Sequence, residues 1–469
     1  MFVHTLALFE WEKGTKKSPF SDSDLRILKK FNDSIQRAKK SDALTITYGK
    51  IYTYSFVGVI QIGTKRIEIL PKLFNPERNQ SLTTLSEEER EQLANSARKN
   101  LFSLLSFAGM IPYYKSGMSQ YGKERDFFEF LIALFLTDLE TVIGPHFHHE
   151  YVNESDDLPH IKGKLNFQQQ AVKLPSQLHT FSCTFDEFSI DNPLNRLIKA
   201  TLQRIQELCK NEKNKKRAFN FSSLMHDIHD EEINPAYLSQ LHFNRLNEDF
   251  KGIVEFCWMI LFGSTYSVEQ GPQSYYALIF DMNLVFEKYV TKLLRHSLQE
   301  YTFHYQEDLH LASDHPPNFE YKRNKKRLIP DIIVRDHEVS IAIIDTKYKL
   351  DLSRGSISNA DTYQMMAYCV ANESDIALLL YPKLPAQDEL KEREHLIVLD
   401  KLEKEKKKDR LIQIFARSIQ LIDNKGKILK KLTEDDANTI RTLLRKQQIA
   451  LIDHPGYHEM NPMIQPKSW

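Results

Sequence analysis

The stretch LIPDIIVRDHEVSIAIIDTKYKL, residues 328–350, decides how this chain is read. It holds two short apolar runs, and each carries a carboxylate: Asp331 follows Pro330, and Asp345 follows Ile343 and Ile344 directly. Both runs have the length and β-branched content of buried strands. Strand side chains repeat every two residues, so Lys347 shares a face with Asp345. Thr346 points the other way, with its carbonyl still available. An Asp at a strand end is ordinarily a turn or cap residue, and a Lys beyond it is ordinarily solvated. Two carboxylates and an ammonium converging inside a sheet fit that reading poorly, because they are costly without a partner. A divalent cation is the natural partner: Mg²⁺ takes one or two carboxylates and keeps waters or phosphate oxygens. Mn²⁺ would substitute, whereas zinc would call for Cys or His ligands.

The surrounding chain sets the context. At 469 residues it is too long for one ordinary core, and two or three domains are expected. Lys plus Arg and Asp plus Glu are both 63, so any affinity for nucleic acid must come from local basic patches. Cys183, Cys209, Cys257 and Cys369 form no C-x-x-C pair, as expected for reduced thiols in a cytoplasmic protein. The start, MFVHTLALFEWEKG, is too short and poorly flanked for a signal peptide, and no long apolar run predicts a membrane span.

Along the chain, residues 1–75 read as strands, with a hairpin turning at Gly63-Thr64. Residues 76–98 read as a polar inserted loop leading into a helix. KNLFSLLSFAG, RDFFEFLIALFLTDLETVI and DNPLNRLIKATLQRIQELCK read as helices, the last capped by Asp191 with Pro193 in its first turn. HIKGKLNF is expected to be a short strand. SYYALIFDMNLVFEKYVTKLLRHSL reads as one long helix, and NADTYQMMAYCVA as a helix capped by Asn359. DIALLLYP and EHLIVLD read as buried strands, and helices are expected near 409–422 and 434–451.

The central constellation resembles the PD-(D/E)xK nuclease superfamily. Pro330-Asp331 matches PD, and Asp345-Thr346-Lys347 matches (D/E)xK. Downstream, Gln364-x-x-x-Tyr368 matches the element of the RecB-like branch, at a spacing that puts both side chains on one helical face. Their order and strand context make a specific signal, although each string alone is weak. The resemblance implies Mg²⁺ held by Asp331, Asp345 and the Thr346 carbonyl. Lys347 would orient water or the scissile phosphate, and Gln364 and Tyr368 would support the site. Glu287, on a helix before the core strands, is a further candidate near the metal. FVGVIQIGTKRIEILPKLF, IKGKLNF, FDEFSIDNPLNRLIKATL and LIFDMNLVFEKYV resemble, in this order, the McrC family, the nuclease subunits of McrBC-type modification-dependent restriction systems. That resemblance implies an N-terminal region that docks on a ring of McrB-type AAA+ GTPase subunits, and a nuclease that cuts double-stranded DNA.

The expected architecture is therefore an α+β multi-domain chain. A partner-docking region, 1–264, is β-rich over 1–75 and mostly helical over 99–264. An α/β PD-(D/E)xK core follows over 265–400, and a helical extension over 401–469. The basic turn Lys322, Arg323, Lys325, Lys326 and Arg327 lies just before Asp331 and is the expected grip on DNA phosphates. The segment 76–98, with Lys72 and Arg78 near its start, is the expected reach into the ring. Gly117-x₄-Gly122-Lys123 lacks the Ser or Thr of a P-loop, since Glu124 stands there, so no nucleotide site is expected in this chain. Two other functions fit parts of the sequence: an activator of an AAA+ NTPase with a vestigial nuclease fold, and a stand-alone RecB-like nuclease. The intact Asp, Asp and Lys argue against the first, and the large N-terminal half argues against the second.

Overall fold

The computed structural model of the chain describes residues 5–12, 19–72, 86–112, 126–143, 147–245, 247–263, 275–310, 327–337, 339–349, 357–383, 393–399, 410–423 and 426–452. It is a mixed α and β architecture with several separate sheets.

The first sheet has the order β1-β5-β4-β9, built from β1 (Thr5–Phe9), β4 (Phe56–Ile62), β5 (Lys65–Leu70) and β9 (Tyr276–Asp281). The hairpin β4–β5 turns at Gly63-Thr64 as its alternation requires, and β1 adds parallel to β5. Gly58 has φ +127, and a Cβ there would lie 2.1 Å from the Leu278 carbonyl oxygen, so only glycine lets β9 approach β4 this closely. Two departures from the expected strands stand out. Residues Asp22–Lys39 form helix α1, between β1 and the small hairpin β2 (Leu44–Thr47) and β3 (Lys50–Thr53). Its start is written in a capping box, Ser21 with Asp24, and its apolar stripe buries Leu28, Phe31 and Ile35. The segment expected as one helix from residue 274 begins instead with β9, and its helix, α8 (Met282–Ser297), starts after the Asp281 cap. The unit expected to begin at 265 thus gives its first strand to the N-terminal sheet.

Helices α2 (Glu87–Ala108), α3 (Phe127–Ile143), α5 (Pro193–Leu208), α6 (Glu212–Leu224), α7 (Lys251–Phe262) and α8 share the largest core. The loop expected over 76–98 is helix from Glu87 onward, launched by the Ser86 and Glu89 capping box; residues 76–85 lie outside the described residues. Helix α5 is capped by Asn192, not Asp191. Asp191 instead clamps Arg196 at 2.7 and 3.0 Å and meets His229. Under the first sheet sits an ionic knot. Arg66, fully buried, donates to Asp126 at 2.8 Å, Glu129 at 3.2 Å, Gln61 and the Leu208 carbonyl. Beside it Arg98 pairs with buried Glu68 at 2.7 Å.

A three-stranded antiparallel sheet, β6 (Glu150–Leu158), β8 (Phe181–Ser189) and β7 (Lys164–Leu165), stands apart from these cores. Its short helix α4 (Phe167–Ala171) replaces the end of the strand expected from HIKGKLNF. The sheet exposes Tyr151 and Phe188, and its connections expose Ile161, Phe167, Val172 and Leu174.

The second large sheet has the order β10-β13-β14-β15-β17-β16. Its strands are β10 (Thr302–Tyr305), β13 (Ile332–Asp336), β14 (Val339–Thr346), β15 (Ile376–Lys383), β16 (Arg393–Leu399) and β17 (Arg410–Gln420). The hairpin β13–β14 is antiparallel, β15 runs parallel to β14, and β17 runs parallel to β15. The helix expected near 409–422 is strand β17, inserted between β15 and β16, so this sheet continues past 400 to Gln420. A two-stranded piece, β11 (Leu309–His310) with β12 (Arg327–Leu328), flanks it. Helix α9 (Asn359–Ala371) covers one face through Met365, Tyr368 and Cys369, packed on Ile333 and Ile343. Helix α8 covers the other face, and α10 (Glu434–Ile452) follows the sheet. Among the described residues no helix is long and apolar enough to cross a membrane.

Candidate active site

The opening stretch folds as the β13–β14 hairpin, with Ile332 opposite Ile344. That register sets Asp331 beside Asp345 at the end of the hairpin. Asp345 is 2% exposed, at the tip of a strand whose Ile341–Ile344 run is wholly buried. Asp345 and Lys347 share the face that α9 covers, as the two-residue period requires.

Around Lys347 the contacts close into a ring. Its Nζ lies 2.6 Å from Asp345 Oδ2, 3.3 Å from Asp361 Oδ1 and 3.1 Å from Gln364 Oε1. Gln364 then donates to the Tyr368 hydroxyl at 2.9 Å, and Tyr368 donates to the Ile329 carbonyl at 3.1 Å. The Gln and Tyr of α9 thereby back both halves of the hairpin: one holds the lysine, the other the turn before Pro330-Asp331. Thr346, whose carbonyl is the expected ligand, takes a further part through its other groups. Its N–H and its hydroxyl both donate to Asp331 Oδ2, at 2.7 and 2.8 Å, so it orients the neighbouring carboxylate.

Glu287 reaches the same place from α8. Its Oε1 accepts from Gln306 at 2.8 Å, and the Gln306 N–H donates to the Asp331 carbonyl at 3.0 Å. Gln306 adopts φ +48, a left-handed conformation that a glutamine holds only when its surroundings impose it.

Electrostatics follow from this crowding. Burial, then the neighbouring Asp331, pushes the Glu287 carboxyl up to about 7. Burial and Asp331 likewise push Asp345 up to about 6, against the pull of Lys347. Burial raises Asp331 too, partly offset by the Thr346 hydrogen bonds. For Lys347 burial works downward, yet the carboxylates of Asp345 and Asp361 outweigh it and hold the ammonium charged. The site is a knot of crowded, half-dehydrated carboxylates with Lys347 set among them.

Asp361 was not among the expected site residues. It is 7% exposed, accepts from Ser358 at 2.7 Å and Lys349 at 3.0 Å, and these contacts keep it ionised despite burial. Its signal was available: it stands three residues before Gln364, on the same helical face. Ser358, not Asn359, caps this helix.

The donor set fits a hard divalent cation. Asp331 and Asp345 supply carboxylate oxygen, neither thiol nor imidazole intrudes among the described residues, and a cation would offset the burial that raises both groups and the Asp331 charge that raises Asp345 further. Among the described residues no three His, Cys, Asp or Glu side chains are grouped as a complete cage. A cation held here would therefore complete its shell with water or phosphate oxygens, which is the habit of Mg²⁺. Lys322, Arg323, Lys325 and Lys326 of the basic turn lie outside the described residues; Arg327 begins β12.

Comparisons with known proteins add an independent line. No curated protein matches the chain. A chain from the refined half-complex of the tetradecameric assembly of Thermococcus gammatolerans McrB AAA+ hexamers with bound McrC is similar in fold. It shares 19% identity at a TM-score of 0.64, over 94% of this chain and 100% of that one. A chain from the cryo-EM structure of the Thermococcus gammatolerans McrBC complex shares 21% identity over 61% of this chain and 86% of that one, at a TM-score of 0.49. The family described as McrBC 5-methylcytosine restriction system component matches residues 51–382, more than two thirds of the sequence. The chain belongs to that McrBC family of restriction-system components.

Proposed function

We propose that this chain is the DNA endonuclease subunit of a McrBC-type restriction system, hydrolysing phosphodiesters with Mg²⁺ when an AAA+ partner ring engages it. The convergence of Asp331, Asp345 and Lys347, braced by Asp361, Gln364 and Tyr368, carries this reading. In it, Asp331 and Asp345 hold the ion with the Thr346 carbonyl, and Glu287 stands beside them. The bound ion supplies Lewis-acid polarisation of the scissile phosphate and acidifies water. Lys347 places a compact positive charge where the phosphate's negative charge builds up, and Asp361 with Gln364 hold it there when Asp345 turns to the ion. Thr346 keeps Asp331 aimed, and Tyr368 keeps the turn before it fixed. Single-turnover cleavage of duplex DNA by the chain with its ring partner tests the reading. Cutting should vanish in chelator and return with Mg²⁺ or Mn²⁺, and sustained cutting in excess chelator would refute it.

Metal binding should also be visible without turnover. Protons occupy Asp345 up to about pH 6 and Glu287 up to about pH 7, so the cation competes with them at low pH. The affinity for Mg²⁺ should therefore rise as pH increases from 5.5 to 8, by up to about tenfold per unit for each proton displaced. Mg²⁺ should raise the melting temperature at pH 8 and leave it unchanged at pH 5.5. A shift that is equal at both values would place the cation elsewhere.

The partner-facing surface is best assigned to the sheet β6-β8-β7. Its Tyr151 and Phe188 are cross-strand partners with ring centroids 5.1 Å apart, both more than half exposed, and its apolar residues belong to none of the three cores. Exposed apolar clusters of this kind mark interaction sites. The fold-related chain comes from a complex of McrB AAA+ hexamers with bound McrC, which supports a ring of AAA+ subunits as the occupant. Residues 76–98, the segment expected to reach into the ring, run from Glu87 onward as helix α2. Tyr151→Ser with Phe188→Ser should weaken ring binding and NTPase stimulation at least about tenfold, the scale of losing two aromatic anchors. The Mg²⁺-induced melting shift should persist. Unchanged ring binding would remove this sheet from the interface.

A further inference from the structure

Glu10 lies just past β1 in the first sheet, yet it touches the segment that carries the lysine of the site. It is wholly buried. Its N–H donates to the Leu70 carbonyl at 2.9 Å, so the residue is fixed to the end of β5. Its Oε2 accepts from the Lys72 N–H at 3.1 Å and from the Tyr348 hydroxyl at 2.8 Å. Its Oε1 is buried without a hydrogen-bond partner among the described residues.

Tyr348 shows what the contact holds. It follows Lys347 directly, is 6% exposed, and packs its ring 5.8 Å from that of Phe286. Phe286 directly precedes Glu287. The ring pair is thus bonded in sequence to Lys347 on one side and to Glu287 on the other, and Glu10 grips it at the phenol oxygen. The Lys347 N–H is tied to the Leu380 carbonyl at 2.9 Å, so the backbone here has two anchors: β15 and, through Tyr348, the first sheet.

We propose that Glu10 is a positioning residue for cleavage, which sets Lys347 and Glu287 through Tyr348 and so couples the N-terminal sheet to the site. The proposal rests on the nuclease reading given above. Burial pushes the Glu10 carboxyl up to about 8, so a neutral carboxyl occupies the position near pH 7, consistent with a hydrogen-bonding role over a charged one.

The test uses the full chain with its ring partner on plasmid DNA carrying 5-methylcytosine. Tyr348→Phe keeps the ring and deletes the grip, and Glu10→Ala removes it from the other side. Each should lower kcat about 10- to 100-fold, the scale of a small misplacement in a catalytic site. KM for DNA, the Mg²⁺-induced melting shift and stimulation of the partner's NTPase should stay unchanged. Glu10→Gln, which keeps a donor and an acceptor, should restore cleavage. If Tyr348→Phe and Glu10→Ala cut at the wild-type rate while Lys347→Ala does not, the coupling is wrong and the nuclease reading stands. If Lys347→Ala also cuts at the wild-type rate, both fall. Should Glu10→Ala fail to fold, Tyr348→Phe decides alone. A loss of cleavage that only follows a loss of folded protein, without rescue by Glu10→Gln, would make the contact merely structural and overturn the proposal.

Discussion

Lys347→Ala should fold, bind its partner ring, and cut duplex DNA about 10³-fold more slowly than the parent, the upper range for losing one group that stabilises developing charge. The structure supplies the reason for so large an effect. Lys347 is the cation against which Asp345 and Asp361 are both set, at 2.6 and 3.3 Å, and no second ammonium stands at Asp345 among the described residues. On the proposed reading its loss removes the charge that would face the phosphate, and it lets burial and Asp331 raise Asp345 further. Lys347→Arg should recover little, because a planar fork cannot take the place of a compact ammonium held on three sides. Asp345→Asn should match Lys347→Ala. Asp361→Asn should be milder, about tenfold, because Gln364 still holds the lysine and the asparagine keeps an acceptor oxygen beside it. Single-turnover rates with saturating partner and Mg²⁺ measure all four. A Lys347→Ala rate within a few-fold of the parent would remove this residue from the chemistry.

The site was legible where chemistry and period coincide. An Ile-rich run that ends in Asp-Thr-Lys is a buried strand with charges at its tip, and the structure puts it there. Gln364 and Tyr368 were legible because four-residue spacing sets them on one helical face, and they do join hands at 2.9 Å. Asp361 carried a signal in its spacing to Gln364, but an acidic residue in a first helical turn reads first as a dipole or capping partner, a part it also plays with Ser358. Glu287 was placed near the metal only by resemblance; its own surroundings say only amphipathic helix. The misread elements share a cause. YALIFD and RLIQIFARSIQ are apolar runs that period alone cannot assign to helix or strand, and tertiary pairing decided both as strands. Helix α1 and the start of α2 were hidden in polar sequence, although each opens on a capping box that names it. The Glu10–Tyr348 contact joins residues 338 apart, and no local pattern encodes it.

Arg66→Met should be the most destabilising single change in the N-terminal half, at about 3–5 kcal/mol, the cost of stripping one partner from a buried ion pair. The guanidinium is fully buried and serves two carboxylates, a side-chain amide and a backbone carbonyl at once. Methionine fills the space but leaves Asp126 and Glu129 facing each other without it, and both must then take up protons or water. An exposed pair gives the contrast: Arg441 and Glu300 meet at 2.6 Å but keep 26% and 42% exposure, and Arg441→Ala should cost about 0–1 kcal/mol. Urea unfolding followed by tryptophan fluorescence, with Trp258 half-buried on α7 against Phe262, separates the two outcomes. Combining Arg66→Met with Asp126→Asn and Glu129→Gln should recover much of the loss, because the penalty lies in the abandoned charges and not in the missing contact. An Arg66→Met cost no larger than that of Arg441→Ala would mean that the knot is solvated in the folded protein. The position matters beyond stability. Arg66 lies on β5, the strand whose last carbonyl, Leu70, holds Glu10, so loosening the knot should also loosen the grip on Tyr348 and slow cleavage in whatever chain remains folded.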